Sequence, residues 1–277
     1  MAPVDRLKVT LLVDNETPGE GLVGEHGFSA ILETDRGTVL FDAGASSDAA
    51  VRNAAALGVD LAPVGAIALS HGHYDHTGGL AAVLEAAPEA VLYVHPQIAA
   101  KRWGHRLGVK KSIGMSGDNL KAAEARGMKR VTEPLLLPQG VMLSGSIPGP
   151  PSPTEKNFTV EIDGERAPDR FVDEMFVLAE TRAGVFLLTG CCHRGLANTL
   201  NHAQRLAGGK PITTVVGGLH LARLSKAELD ASVAALQSAG STEVIAGHCT
   251  GKRAIAYLAQ YASLHVDTFH VGFTREW

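Results

Sequence analysis

Three histidines and one aspartate stand together in the segment HGHYDH, as His71, His73, Asp75 and His76. Imidazole nitrogens and carboxylate oxygens bind zinc, iron and other first-row metals, and a carboxylate can also orient a bound water. The apolar run just before this segment, residues 64–70, predicts a buried strand. Because ligand sites collect at the C-terminal ends of such strands, we predict a site for one or two divalent metal ions, with zinc favoured and iron or manganese as alternatives.

Three more histidines stand at the ends of predicted strands in the second half of the chain. They are His193 in LLTGCCHRG, His220 in VVGGLHL and His248 in VIAGHCTG. A lone histidine beside glycine often has only a packing role. Taken together with the first cluster, these three predict one dinuclear site assembled from both halves of the chain.

The elements that must position these residues follow from hydrophobic periodicity. Predicted strands cover residues 7–13, 28–34, 38–43, 64–70, 91–95, 173–180, 184–190, 212–218, 243–247 and 266–271. Predicted helices cover residues 46–58, 77–87, a segment ending near 206, 225–240 and 253–261. Ser225 and Glu228 have the spacing of a capping box. Strands in both halves, followed by helices, predict an α/β (α+β) protein of two mixed sheets packed together with helices outside, in a single domain of residues 1–277.

The middle of the chain differs in composition. Prolines crowd into residues 101–171, at Pro134, Pro138, Pro148, Pro150, Pro151 and Pro153. Proline removes a backbone donor and interrupts both helices and sheets, so we predict an irregular insertion or a partial lid there.

Composition limits the classes of function. The chain has 277 residues, a net charge of −4 and 3 cysteines. It has no basic tract for nucleic acid, no apolar run long enough for a membrane span, no recognisable secretion signal and too few cysteines for a disulfide framework. We expect a cytoplasmic protein that acts on a small molecule, without nucleic-acid or membrane partners. The sequence marks no subunit interface, so the oligomeric state stays open, a homodimer included.

The motif HGHYDHTGG resembles the HxHxDH motif of the metallo-β-lactamase superfamily. The upstream strand that ends in FDAG, at residues 41–44, also resembles the strand that precedes this motif in the superfamily. The segments DNET, EHGFS, TGCCHRG, GGLHL and GHCTG resemble the branch of dihydropterin ribofuranosyl-aminobenzene phosphate synthase-like metallohydrolases. This resemblance implies a four-layer αββα sandwich with two metals at the shared edge of its sheets. It assigns His71, His73 and a later histidine to the first metal, and Asp75, His76 and the final motif histidine, a position that His248 fits, to the second. We take His193 as the later histidine, since no other histidine lies between His105 and it.

One feature of the superfamily is missing. Many members bridge their two metals with an aspartate that follows a late strand, and no obvious equivalent stands here. Either Cys191 takes that position, as a thiolate ligand, or His220 does. The spacing favours His220 near the metals, as a ligand or as a group that binds substrate. The missing carboxylate leaves occupancy by a single metal open.

Several residues are candidates to orient the ligands through hydrogen bonds. Asp14 and Asn15 end the first strand and could hold a metal-binding histidine, although an Asx-turn explains them equally well. We expect Asp42 to have a similar supporting role, and Cys191 to lie close to the site. Asp173 and Glu174 are expected to be solvated carboxylates of a turn.

These residues predict a metal-dependent hydrolase that uses a metal-bound hydroxide on a small ester, lactone or phosphoester, including pterin- or ribosyl-phosphate compounds. Asp75 is the candidate to ligate metal and orient the water. His220 is the candidate to donate to the leaving group or to bind a substrate oxygen. The alternatives are a metal-dependent binding or sensor module without turnover and an iron-containing oxidoreductase. A nuclease is disfavoured by the negative net charge.

Overall fold

Strands and helices alternate along most of the computed structural model, which describes residues 1–106, 108–152 and 156–277. The strands in this part of the chain are β1 (Leu7–Val13), β2 (Ser29–Thr34), β3 (Gly37–Phe41), β4 (Val64–Ala68), β5 (Val91–Val94), β6 (Lys101–Arg106), β7 (Val109–Ser112), β8 (Met128–Arg130), β9 (Leu135–Leu136), β10 (Val141–Leu143), β11 (Phe158–Ile162), β12 (Glu165–Pro168), β13 (Val177–Thr181), β14 (Gly184–Thr189), β15 (Thr214–Gly217), β16 (Glu243–Ala246), β17 (His265–Thr268) and β18 (Thr274–Glu276).

The helices follow strands of both halves. They are α1 (Ala49–Ala56), α2 (Tyr74–Thr77), α3 (Leu80–Ala86), α4 (Gly117–Arg126), α5 (Leu196–Leu206), α6 (Lys226–Ser238) and α7 (Lys252–Leu258). The capping box predicted before α6 is present, with Ser225 and Glu228 exchanging both of its hydrogen bonds. None of the described helices is long and apolar enough to cross a bilayer.

Two large sheets contain most of the strands. As far as the structure describes them, the N-terminal sheet has seven strands in the order β18-β1-β2-β3-β4-β5-β8, and the C-terminal sheet has seven in the order β17-β16-β15-β14-β13-β10-β9. Each sheet is mixed. The strand pairs from β3 to β8 and from β14 to β17 are parallel, whereas the other pairs are antiparallel.

The core shows how these sheets are layered. Successive strand residues point to opposite faces, and in β3 Phe41 belongs to a central cluster whereas Leu40 belongs to an outer one with α1 and α3. In β14, Leu188 joins the same central cluster, whereas Leu187 packs with α5 and α6. The sheets therefore face each other and each carries helices on its outer face. This confirms the predicted αββα sandwich.

The prediction of an irregular insertion at residues 101–171 is wrong for most of that segment. It supplies β8 to the N-terminal sheet, β9 and β10 to the C-terminal sheet, and the antiparallel sheet β12-β11-β6-β7. These strands escaped detection because they are short and largely exposed, as in VKKS of β7, so they lack an apolar alternation. The prolines from Pro134 to Pro153 lie between α4 and β11, and Pro153 itself lies outside the described residues.

Candidate metal centre

The first histidine cluster occupies the loop between β4 and α2. His71 and His73 precede α2, and Asp75 and His76 lie within it; all four are buried. Gly72 is required between them because a Cβ there would lie 2.2 Å from the Ile98 carbonyl oxygen. The loop therefore packs directly against the chain that follows β5.

Side chains behind this loop fix two of its imidazole rings. Asp42, at the end of β3, accepts a hydrogen bond from Nδ1 of His76 at 2.7 Å and another from the Ser70 hydroxyl at 2.7 Å. The Ser70 hydroxyl is also 2.9 Å from Nδ1 of His71. Because each ring is held through Nδ1, Nε2 is the nitrogen presented to the site. Asp42 thus lies where sequence analysis expected it, against a candidate ligand.

The second half of the site comes from the ends of three neighbouring parallel strands. Cys191 and His193 follow β14, His220 follows β15 and His248 follows β16. Gly190 permits the two halves to meet, because a Cβ at this position would be 2.4 Å from the Ser70 hydroxyl oxygen and 2.8 Å from Asp42.

Left-handed backbone conformations concentrate around these strand ends. Asp42, Cys192, His220 and His248 have φ of 63°, 69°, 52° and 50°. Such values are uncommon outside glycine and cost on the order of 1–2 kcal/mol per residue, so the surrounding contacts must hold them. Backbone strain of this kind is typical of functional sites, where it aims a side chain that an ordinary turn would direct elsewhere.

Buried polar groups hold the loops that carry His193 and His248. Glu174 accepts the backbone N–H groups of His193 and Arg194 at 2.6 Å each. Asp14 accepts the backbone N–H of His248 at 2.9 Å, while Asn15 Oδ1 lies 3.1 Å from Nδ1 of the same histidine. Burial raises the pKa of Asp14 to about 6, against the lowering effect of the N–H groups that it accepts.

Asp173 and Glu174 differ from the sequence-based expectation of solvated carboxylates. Both are buried, because the segment between β12 and β13 passes beneath the first histidine loop. Asp173 Oδ2 accepts the Gly72 backbone N–H at 2.8 Å and lies 2.8 Å from Nη2 of Arg102. Arg102 is itself buried and also pairs with Asp169. These carboxylates are structural supports of the site.

Three overlapping groups of donor atoms result. In each group the described ligand atoms lie within 4.8 Å of one another. The groups are His71–Cys191–His193, His76–Cys191–His248 and Cys191–His220–Cys249. The structure thus brings His71 together with His193 and His76 together with His248, and it places Cys191 in all three groups. His73 and Asp75 belong to none of these groups.

The protonation state and the hydrogen bonding of the histidine rings are those expected of metal ligands. Nε2 of His71, His73 and His248 is buried and has no hydrogen-bond partner among the described residues. Burial, followed by the nearby imidazoles, lowers the pKa of these three histidines well below the ordinary value, so their rings are neutral near pH 7 and keep a free lone pair. For His76, burial acts to lower the pKa, but Asp42 and Asp75 raise it overall. Buried imidazole nitrogens that are neutral and lack a hydrogen-bond partner among the described residues fit ligands of a divalent cation.

The Asp75 carboxylate lies next to His76 and His248. Its Oδ2 is 3.8 Å from Nε2 of His76 and 3.7 Å from Nε2 of His248. The same oxygen is 3.3 Å from Nε2 of His26, a residue that sequence analysis did not single out. The His26 ring also stacks on His248, with centroids 5.1 Å apart. Only its position in EHGFS, a segment of the family resemblance, could have drawn attention to it.

His73 and His220 complete the floor of the site. The ring centroids of His73 and His193 are 4.9 Å apart, and those of His193 and His220 are 4.3 Å apart. Phe171 stacks on His193 at 4.3 Å, nearly parallel, and limits where that ring can turn. His220 groups with Cys191 and Cys249 and is absent from the other two groups.

A cavity of about 670 Å³ opens above these residues. Asp75, His73 and His248 are among its lining residues, and the antiparallel sheet and its flanks supply an apolar wall that includes Val109, Ile113 and Phe158. Lys111 and Arg223 also line it. The segment predicted to be an irregular lid therefore forms one wall of the pocket, and it does so with strands.

The family model of the metallo-beta-lactamase superfamily matches residues 22–167, more than half of the chain. This chain belongs to the metallo-beta-lactamase superfamily. Over 91% of its length it is 32% identical to an uncharacterized protein of Methanocaldococcus jannaschii, of which 94% is covered. It is 24% identical to the 7,8-dihydropterin-6-methyl-4-(beta-D-ribofuranosyl)-aminobenzene-5'-phosphate synthase of the same organism, over 97% of this chain and 96% of that protein.

A solved structure supports the same assignment within the superfamily. The crystal structure of Tm1679, described as a metal-dependent hydrolase of the beta-lactamase superfamily, is 28% identical and has a TM-score of 0.82. The similarity covers 97% of this chain and 98% of Tm1679. The resemblance to the metallo-β-lactamase superfamily stated from the HxHxDH motif is confirmed, and so is the similarity to the dihydropterin phosphate synthase branch.

Proposed function

We propose that this protein is a metal-dependent hydrolase of small ester, lactone or phosphoester substrates. Two observations support the proposal. The Nε2 atoms of His71, His73 and His248 are buried without a hydrogen-bond partner among the described residues, and His73, His248 and Asp75 line one pocket. A buried polar atom without a partner costs about 1–3 kcal/mol, so these atoms fit a ligand that this protein binds.

The residues that would hold metal fall into two sets. His71, His73 and His193 form one, and Asp75, His76 and His248 form the other. A divalent cation bound there supplies a water activated near neutral pH and polarises the oxygen of the bond under attack.

The protein's own groups have distinct parts in this proposal. A carboxylate oxygen accepts hydrogen bonds, so Asp75 Oδ2 would orient the attacking water and accept its proton. His26 lies 3.3 Å from that oxygen and more than half of its side chain is exposed, so it can pass the proton to solvent. His220 lines the same cavity, which supports a role for it in donating to the leaving group or binding a substrate oxygen.

The charges of the pocket favour an anionic substrate with an apolar part. Lys111 and Arg223 are cationic lining residues, whereas Val109, Ile113 and Phe158 supply apolar surface. Cationic groups lining a cleft raise the local concentration of anions. The related synthase of Methanocaldococcus jannaschii has a 5'-phosphate in its name, which supports placing phosphoesters first in a substrate panel.

Metal analysis followed by turnover of that panel tests the proposal. We expect divalent metal in the purified protein, hydrolysis of at least one panel member, and loss of activity on chelation. The Asp75→Asn variant should lose about 10²–10⁴-fold in kcat, the range for a general base. Asp118→Asn, which alters an exposed carboxylate on α4, is the matched control and should leave kcat unchanged. Failure to bind any metal after reconstitution, or near wild-type turnover by Asp75→Asn, would contradict the proposal.

A further inference from the structure

Cys191 is the common member of the donor groups on both sides of the site. Its Sγ lies within 4.8 Å of the ligand atoms of His71 and His193, and also within 4.8 Å of those of His76 and His248. It is 3.2 Å from Nε2 of His76. None of the donor groups found among the described residues has a carboxylate in this shared place.

We propose that the Cys191 thiolate is a metal ligand shared by the two histidine sets, in the position where a bridging carboxylate would stand. This inference rests on the proposed metal-dependent function, and it concerns which atom joins the two metal positions. With this ligand, both metal positions would have sulfur and nitrogen donors. Asp75 would bind only at the position that contains His76 and His248.

The adjacent cysteine shows that the position of Cys191 is specific. Cys192 packs in the hydrophobic cluster with α5, where its Sγ donates to the Thr199 hydroxyl at 3.3 Å. The left-handed backbone at Cys192 separates the directions of the two side chains. Cys191 is 3% exposed and lines the cavity, so its sulfur faces the histidines.

The other candidate for this shared position is His220. It belongs to neither of the donor groups that contain two histidines. His220 groups only with the two cysteines, Cys191 and Cys249, among the described donor groups. A neutral imidazole has one free nitrogen lone pair and binds one metal, whereas a thiolate sulfur has lone pairs for two. The geometry therefore leaves His220 for the substrate side of the pocket and assigns the shared position to Cys191.

A thiolate ligand has consequences for metal choice. Binding breaks the S–H bond of Cys191, forms a sulfur–metal bond and releases the proton to solvent. Soft sulfur favours zinc, cobalt or cadmium over manganese or magnesium, which prefer oxygen ligands. We therefore expect zinc to displace manganese from this site, and not the reverse.

Cobalt(II) spectroscopy tests the assignment without relying on activity. The protein reconstituted with Co²⁺ should show a sulfur-to-cobalt charge-transfer band in the near ultraviolet. Cys191→Ser should abolish this band, whereas Cys192→Ser and Cys249→Ser should keep it. Cys191→Asp should lose the band and retain the cobalt content of the wild type, because it restores a carboxylate at the shared position.

X-ray absorption of the wild-type zinc protein gives a second measurement that needs no variant. We expect a sulfur scatterer at about 2.3 Å from zinc. Bound zinc with only nitrogen and oxygen neighbours would overturn the sulfur ligand while leaving the proposed hydrolase intact. A band lost in Cys249→Ser but kept in Cys191→Ser would assign the sulfur to Cys249 and overturn the proposal. Absence of any bound metal would refute the proposed function itself.

Discussion

The two halves of the site position their histidines by different means. In the N-terminal half one loop supplies His71, His73 and His76, and the rings of His71 and His76 are held through Nδ1 by Ser70 and Asp42. In the C-terminal half three separate loops supply one histidine each. There, carboxylates hold the backbone: Glu174 accepts the N–H of His193 and Asp14 accepts that of His248.

This difference follows from where each loop lies in its sheet. A single loop can place several rings because neighbouring residues project from one turn. Three loops at the ends of adjacent parallel strands begin about 4.8 Å apart, so each needs its own backbone fixed before the side chains can converge. The left-handed residues His220 and His248 belong to this second arrangement. In the N-terminal half, side-chain partners therefore fix the rings of His71 and His76, whereas in the C-terminal half carboxylates fix the backbone at His193 and His248.

The largest effect is expected from Arg102, which tests a buried ionic support of the backbone of the N-terminal loop. Its guanidinium is buried against Asp169 and Asp173, and Asp173 also accepts the Gly72 N–H. Arg102→Met leaves both carboxylates buried without a cation and should lower the free energy of unfolding by about 3–5 kcal/mol. Chemical denaturation of the metal-free protein measures this loss.

Arg166→Met is the matched control in the same antiparallel sheet. Arg166 pairs with Glu161 at a partly exposed position and lies over the Trp103 ring. We expect a loss of less than about 1 kcal/mol there. Equal losses in the two variants would show that the buried network does not support the histidine loop more than a surface pair does.

The second prediction concerns Asp42, the side chain that holds the His76 ring. Asp42→Asn keeps the size and the tolerance for a left-handed backbone, but one of its terminal atoms becomes an NH₂ group that cannot accept. Because Asp42 accepts from the Ser70 backbone N–H, the Ser70 hydroxyl and His76 Nδ1, at least one of these donors loses its partner. We expect metal affinity to fall about 10–100-fold, as measured by competition with a chromogenic chelator.

Asp48→Asn, which alters an exposed aspartate just before α1, is the control for that measurement. Its metal affinity should equal that of the wild type. Unchanged affinity in Asp42→Asn would mean that the backbone of the N-terminal loop suffices to orient its rings, and the contrast between the two halves would disappear.

Much of the fold and part of the site followed from local sequence patterns. The apolar run of β1 and the capping box of α6 are encoded by neighbouring residues, and both occur where they were predicted. The cluster from His71 to His76 is equally local. Its position after β4 followed from one apolar segment.

The features that sequence analysis missed depend on contacts between distant residues. Asp173 reaches the Gly72 backbone across 101 residues of sequence, so nothing near Asp173 indicates burial. The exposed strand β7 carries no alternating pattern, and the prolines later in the same segment suggested irregularity instead. His26 meets Asp75 and His248 only in the folded protein. These positions are determined by topology, which a single sequence specifies only indirectly.

Glu174 provides the most direct test of backbone support in the C-terminal half. Both of its oxygens accept backbone N–H groups, from His193 and Arg194, and Gln can accept through only one oxygen. Glu174→Gln should therefore lower the free energy of unfolding by about 1.5–3 kcal/mol, the contribution of a hydrogen bond to a charged group. Amide hydrogen exchange should quicken at residues 193 and 194 while the amide of Gly72 stays protected.

The control is Glu180→Gln, since Glu180 pairs with Lys210 at the surface and touches neither loop of the site. Faster exchange at Gly72 as well would show that the two halves open together, because local loss of one backbone support would then have spread to the side-chain-supported loop.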